Sequence, residues 1–302
     1  MPPPTRGHPR PMRVRIGRAT VMRVAGTHEF KNSRARPLVV AIGNPKGGSG
    51  KTTSVLALAE AAVANGLRVA IVDLDPQCNI TEVLEPADTN AAGTRDLLRA
   101  SSHLTLASCL TSTGWQGVWL CQAEFSLTNR EYTDHEPGAE TRLAEAIELD
   151  AGGVDLVLLD LPGSRGWLAL TALVAADKLL VPTEATVFSA NSAVHLIDEF
   201  LPAARRHNPH LEVAGIVITK WSGTAEQKRV ASELSTSYPE LVRQPYIPRR
   251  DAVATIHQAW HQPLRQAGGS DRKAAAAIAD AYAAHGQYLF TPLIQGASAD
   301  DQ

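Results

Sequence analysis

The 302-residue sequence holds only three cysteines, Cys78, Cys109 and Cys121. No two of them form a C-x-x-C pair, which argues against a disulfide framework or a paired-thiolate metal site and fits a reducing compartment. No apolar run reaches the ~20 residues that a membrane-spanning helix needs. No Ser-His-Asp or Cys-His arrangement stands out, and no internal repeat is visible. The formal net charge is only −2, with 44% hydrophobic and 20% charged residues. That balance excludes wholesale disorder and a fibrous protein and leaves a globular chain with ample length for one α/β core.

The small net charge hides an uneven distribution. Residues 1–36 carry nine basic side chains against the single acid Glu29, which leaves −10 for the remainder. This head is also rich in proline (Pro2, Pro3, Pro4, Pro9, Pro11). It lacks the continuous apolar stretch of a secretory signal, and its prolines break the amphipathic helix of a transit peptide. It reads as a disordered basic arm, either merely solvated or touching nucleic acid, with Met12 and Met22 as alternative starts. The expected organisation is therefore an arm (1–36), one domain (37–290) and a frayed, small-residue acidic tail (291–302).

The body alternates buried-strand and helix patterns. Leu38–Ile42, Arg68–Val72, Val154–Leu159, Lys178–Val181 and Val213–Thr219 are short β-branched or leucine-rich runs. Helical patterns lie at Lys51–Ala64 and near 166–176, 191–205, 225–236 and 271–284. The less regular stretch 90–150 reads as a helix over Thr94–Leu110, a strand over Val118–Cys121 and a helix over Thr141–Ile147. Strand and helix at this pitch predict an α/β fold, a doubly wound and mainly parallel sheet with helices on both faces.

The strongest local signal lies between the first strand and the first helix: Lys46-Gly47-Gly48-Ser49-Gly50-Lys51-Thr52-Thr53. Wrapping a triphosphate requires backbone N–H groups at close range, which glycines permit, and the helix N-terminus adds partial positive charge. Lys51 is placed to reach the β- and γ-phosphates, and the Thr52 hydroxyl to ligate Mg²⁺. The usual first glycine of such a loop is replaced by Pro45, and Lys46 opens the loop. Two carboxylate motifs follow at strand ends, Asp73-Leu74-Asp75-Pro76-Gln77 and Asp160-Leu161-Pro162-Gly163. Ligands of open α/β sheets lie at the C-terminal strand ends, so these acids converge on the phosphates. There, one acid can support Mg²⁺ and another can orient a water for in-line attack. Thr219 and Lys220 occupy the position that commonly recognises the base, and Trp221 stands close by for stacking or for the core. His257 and His261 have the outer spacing of a zinc helix motif, but Gln258 replaces its glutamate, so both read as packing or surface residues.

Taken together, K-G-G-x-G-K-T-T, V-D-L-D-P-Q and L-L-D-L-P-G resemble the ParA-type partition ATPases, the deviant Walker A group of P-loop NTPases. The resemblance runs from about Pro37 to Leu289. Thr128–Ile147, including Glu140-Thr141-Arg142-Leu143, resembles the segment before the third motif. Tyr246-Ile247-Pro248-Arg249 resembles the I-P-R stretch beside the base. The resemblance implies an ATP- and Mg²⁺-dependent ATPase of the cytoplasm and nucleoid. It implies that Lys46 crosses an ATP-bound homodimer to the partner's phosphates, and that Gly47, Gly48, Ser49, Gly50, Lys51, Thr52 and Thr53 bind the nucleotide with Thr219, Lys220 and Pro248. Asp75 positions the attacking water, and Asp73 and Asp160 support the metal shell with Thr52. It also implies non-specific DNA binding and a ParB-type centromere-binding partner. The basic residues nearest the family's DNA contacts are Lys228, Arg229, Arg249 and Arg250, at offsets that differ from the family's, which makes the basic arm an alternative contact.

Rival readings fit less well. A membrane-positioning ATPase of the MinD type needs a basic amphipathic C-terminal helix, whereas this chain ends in Asp300-Asp301-Gln302, so no membrane partner is expected. Metal-cluster relatives need paired cysteines. A non-hydrolysing scaffold would not need Asp75 and Asp160.

Overall fold

The structure is a computed structural model that describes residues 36–132, 138–250, 253, 256–257 and 261–299. The basic arm, apart from Arg36, and the residues between His257 and His261 lie outside the described part.

Among the described residues, eight strands form one sheet in the order β3-β4-β2-β5-β1-β6-β7-β8. The central strands are β1 (Leu38–Ile42), β2 (Val69–Asp73), β5 (Leu156–Asp160), β6 (Lys178–Glu184) and β7 (Glu212–Thr219). These five run parallel, and each is a near-continuous apolar run, as burial on both faces demands. β4 (Val118–Cys121) extends the sheet beyond β2. Two strands that the sequence pattern did not reveal close the edges, β3 (Thr111–Ser112) and β8 (Val242–Arg243). At two residues each they are too short to show any alternation, and β3 alone pairs antiparallel.

Helices cover the two faces. They are α1 (Lys51–Ala64), α2 (Asn79–Leu84), α3 (Arg142–Leu149), α4 (Trp167–Ala175), α5 (Val187–His195), α6 (Ala225–Ser237) and α7 (Arg272–Ala299). One core cluster packs α3 and α4 against one face, including Leu143, Leu168 and Val157. The other packs α1 and α7 against the opposite face through Leu56, Leu158 and Tyr282. Helices on both faces of a parallel sheet make this a doubly wound α/β protein, as the alternation predicts.

Three expectations are corrected. Thr94–Leu110 is not one helix but two single turns, Thr94–Leu97 and Leu106–Cys109. Thr105 starts the second turn with a reciprocal capping box: its hydroxyl accepts from Ser108 N at 3.3 Å, and Ser108 Oγ accepts from Thr105 N at 3.1 Å. The helix read near 191–205 begins earlier, at Val187, and widens to a π turn over Leu196–Phe200 before ending in Leu201–Ala204. Pro202 lacks the N–H that would continue the regular ladder. Finally, α7 runs to Ala299, through most of the segment read as a frayed tail. Leu289 and Phe290 are fully buried, and Leu293 and Ile294 pack on the same cluster, so burial extends the helix well past residue 284.

Register places the site. Ile42 lies opposite Asp160, and Asp160 opposite Asp73, so three strands end at one level. The loop after β1 therefore opens directly above two strand-end acids.

Candidate active site

The loop 45–50 leads into α1. Gly48 and Gly50 have φ of +76° and +92°, the left-handed region that glycine adopts without strain. At Gly50 a side chain would also press on Thr219 at 3.3 Å. Three side chains then brace the loop from outside. Asn44, buried after β1, donates to Pro182 O at 3.0 Å and accepts from Lys46 N at 3.0 Å. Thr219, at the end of β7, donates to Ser49 O at 2.9 Å. Lys220 Nζ donates to Gly48 O at 2.6 Å and pairs with Glu184 Oε1 at 2.7 Å. The side chains of Thr219 and Lys220 thus brace the loop while both residues also line the cleft beside it.

From this loop a cleft of about 1250 Å³ runs along α1. Gly47, Gly48, Ser49, Gly50, Lys51, Thr52 and Thr53 line it, together with Asp75, Thr219, Lys220, Pro248, Arg249 and Arg250. The structure therefore brings most of the sequence-selected residues to one place. Lys51 is 7% exposed, whereas Lys46 is exposed and does not line the cleft of its own chain. Burial lowers the Lys51 ammonium pKa, opposed by the negative charges of Asp160 and Asp75.

The acids separate into distinct roles. Asp160 is fully buried beneath Thr52, whose hydroxyl donates to its Oδ2 at 3.0 Å. Its Oδ1 is a buried oxygen without a hydrogen-bond partner among the described residues. Burial raises its pKa well above the usual range, the negative charge of Asp73 adds to the rise, and Lys51 opposes it. Asp75 lines the cleft and accepts from Gln77 N at 3.0 Å. Asp73 is fully buried and does not line the cleft. Its Oδ2 accepts from Thr81 N and Thr81 Oγ1, and its Oδ1 accepts from Asp75 N. Burial pushes it up to about 6 against those bonds. The metal-shell role given to Asp73 is corrected accordingly: both oxygens are committed to the turn that carries Asp75. Among the described residues, no group of three or more His, Cys, Asp or Glu gathers to hold a metal unaided. An octahedral Mg²⁺ that takes most of its ligands from phosphates and water asks for little more than Thr52 and one nearby carboxylate, and the orphaned Asp160 oxygen fits that demand.

Part of the lining is apolar. Leu56, Val83, Ile247, Ile278 and Tyr282 line the cleft and belong to one core cluster. Tyr282 on α7 meets Ser54 on α1 at 2.8 Å, and Ser54 Oγ donates to Gly50 O at 2.8 Å, so α7 is tied to the loop through two hydroxyls. Trp221 is not part of this lining. It packs edge-on to Tyr246 with ring centroids 4.7 Å apart and bridges to Pro248, a packing role.

All four basic residues considered for DNA are exposed. Arg249 and Arg250 line the cleft. Lys228 and Arg229 are exposed on α6, and Arg229 is paired with Glu226 at 2.7 Å and with Glu233.

Sequence reasoning missed Asn44, Ser54, Glu184 and Tyr282. Asn44 and Glu184 had a signal, a polar residue at the end of a buried strand. Ser54 and Tyr282 had none, because their partnership spans 228 positions. His257, read as a packing or surface residue, is buried and lines the cleft.

Residues 38–213 match the family of the AAA domain. The chain is 34% identical over 222 residues to the chromosome-partitioning ATPase Soj of Thermus thermophilus, covering 73% of this chain and 85% of that protein. It is 31% identical over 226 residues to the chromosome partitioning protein ParA of Caulobacter vibrioides, covering 73% and 84%. The chain is a ParA-type P-loop ATPase. A solved structure of a cobyrinic acid a,c-diamide synthase from Mycobacterium smegmatis, with bound ADP and magnesium, superposes on this ParA-type chain with a TM-score of 0.68. The two are 28% identical, and the match covers 83% of this chain and 93% of that one.

Proposed function

We propose that this ParA-type ATPase closes into a homodimer on binding ATP and Mg²⁺, and that the dimer binds DNA without sequence preference. Hydrolysis to ADP and phosphate, stimulated by a ParB-type centromere-binding protein, then releases the DNA. The work would be partition of a plasmid or chromosome on the nucleoid. The observation that carries this reading is the contrast between two lysines of one loop. Lys51 is buried in its own cleft, whereas Lys46 is exposed and outside it. A lysine so placed is available to the phosphates of a second copy.

Within one chain, the N–H groups of the loop and the N-terminus of α1 hold the phosphates, and Lys51 neutralises them at the β–γ junction. Thr52 and Asp160 would hold the magnesium ion, whose chemistry is to neutralise charge building on the transferred phosphoryl group. Asp75, positioned by the Asp73–Thr81 bonds, orients the attacking water. Pro248 borders the base end, and Thr219 and Lys220 hold the loop in shape. Names of relatives support the partition reading, and the contact surface for DNA is assigned to no single residue among Lys228, Arg229, Arg249 and Arg250.

The test is binding to a random-sequence duplex with ATP, with ADP and without nucleotide, over a salt series. The reading expects binding only with ATP, weakening steeply as salt rises. Loss of that binding in a chain starting at Met22 would assign the contact to the basic arm. Absence of binding in every nucleotide state would overturn the partition reading in favour of an ATPase that positions a protein cargo or a membrane-associated complex.

A further inference from the structure

Among the described residues, five large apolar side chains are exposed: Phe125, Leu149, Val187, Phe188 and Tyr288. Single apolar residues on a surface are ordinary, whereas several on one edge mark a contact site. Tyr288 is accounted for within the chain, since Arg243 lies 4.2 Å over its ring and donates to its hydroxyl at 2.6 Å. Leu149 ends α3 shortly before β5 begins, at the N-terminal edge of the sheet. The other three stand at the C-terminal edge, where the phosphate loop opens.

Phe125 is 73% exposed and lies four residues after β4. Its carbonyl accepts from the N–H of Thr128 at 3.1 Å, and Thr128 lines the cleft. Val187 and Phe188 open α5, three and four residues after the end of β6, and Phe188 is 82% exposed. Thr186 caps that helix, and Ser189 Oγ accepts from Glu184 N at 3.1 Å, so the turn is held against Glu184, another lining residue of the cleft. In the sheet order, β4 and β6 are four strand spacings apart, roughly 19 Å at about 4.8 Å each. Between them lie β2, β5 and β1, which lead into Asp75, Gly163 and the loop. Apolar side chains therefore flank a charged centre on both sides.

The charges of that centre indicate what covers the edge. Lys46 is exposed and does not line its own cleft, whereas Asp75, Glu82 and Glu184 do. A face that carries an outward cation, an acid-lined cleft and apolar groups on both flanks is complementary to a second copy of itself.

We propose that Phe125, Val187 and Phe188 are the apolar contacts of the ATP-bound homodimer, seated against the same edge of a second copy of this chain. The inference rests on the homodimer reading above and adds to it the residues that hold the two copies together. Aromatic side chains taken from water in a closed interface carry much of its affinity, and charges such as Lys46 chiefly set its register.

The experiment is sedimentation of the full chain over a concentration series at saturating MgATP, with bound nucleotide measured in the same samples. It compares the wild type with Phe188→Glu, Phe125→Glu, Phe188→Tyr and Leu149→Glu. Glutamate at the second position of α5 suits a helix N-terminus, and neither phenylalanine lines the cleft, so these variants should stay folded and nucleotide-loaded. Phe188→Glu and Phe125→Glu should each raise the dimer dissociation constant by roughly tenfold or more. Phe188→Tyr, which keeps the ring, and Leu149→Glu, at the other edge, should dimerise as the wild type does. A phenylalanine-to-glutamate variant that dimerises as tightly as the wild type, or an equal loss in Leu149→Glu, would overturn the assignment. A wild type that stays monomeric with MgATP would overturn the homodimer reading itself, which separates the two failures. Hydrogen exchange of the wild type with MgATP needs no variant. Amides of 122–128 and 185–190 should gain protection as protein concentration rises, while those of 145–150 should not. Exchange at the first two segments that does not depend on concentration would overturn the proposal even if a variant fails to fold.

Discussion

Two parts of the cleft are built by different means. The phosphate part comes from one stretch, 45–53, with strand-end acids and a ring of backbone braces around it. The apolar wall comes from α1, α2, α7 and Ile247, residues that meet only through folding. Charge and backbone N–H groups dominate the first, and apolar burial dominates the second. A triphosphate needs dense, fixed dipoles, which a short contiguous loop can supply. An apolar wall needs shape, which any set of converging side chains can supply. The first solution therefore leaves a motif and the second does not.

The largest effect expected from breaking this comparison is at Lys51. Lys51→Ala removes a buried cation from the phosphate part of the cleft, and MgATP affinity should fall by about 100-fold or more in titration. A loss of only a few-fold would mean that the loop backbone alone carries the phosphates. Asp75→Ala should come next. It should leave MgATP affinity within about threefold of wild type while lowering the hydrolysis rate by about 100-fold in a phosphate-release assay. Comparable losses in both would make Asp75 a binding group instead.

Smaller effects sharpen the contrast. Lys220→Ala frees Gly48 O and Glu184, and MgATP affinity should fall by about three- to tenfold, modest because the Lys220–Glu184 pair is partly exposed. Tyr282→Phe removes the hydroxyl bonded to Ser54 and should cost about 1 kcal/mol, seen as a melting point lowered by about 2–4 °C. The pH dependence of stability tests the burial of His257. His257 is held near 4 in the folded chain, below its ordinary 6.5, so the unfolded chain binds the extra proton between those values. Wild-type stability should then fall as pH drops from about 6.5 towards 4, relative to His257→Phe, which has no such proton to take. Parallel stability curves for the two proteins would contradict a buried neutral imidazole.

Legibility in the sequence followed the same division. The central strands and α1 were readable because burial on both faces writes continuous apolar runs and because a glycine loop announces the helix after it. The loop and the strand-end acids were readable from the same local signals. Asp73 was misread because a carboxylate at a strand end looks alike whether it faces a metal or caps a turn, and only its bonds to Thr81 and Asp75 N tell which. Thr94–Leu110 was misread because its apolar spacing continues across a capping box that restarts the helix. The end of α7 was misread because small residues carry a helix when a buried Leu289 and Phe290 anchor it, and composition does not show that burial. His257, read as a packing or surface residue, is buried against Trp115, and nothing near it in sequence shows that it also lines the cleft.

The division of labour between the two loop lysines remains the point on which the functional account turns. Sedimentation of the full chain with MgATP, for the wild type and for Lys46→Ala, tests it directly, with bound nucleotide measured in the same samples. The account predicts an ATP-dependent dimer for the wild type and a nucleotide-loaded monomer for Lys46→Ala. A Lys46→Ala chain that dimerises with ATP as the wild type does would contradict it.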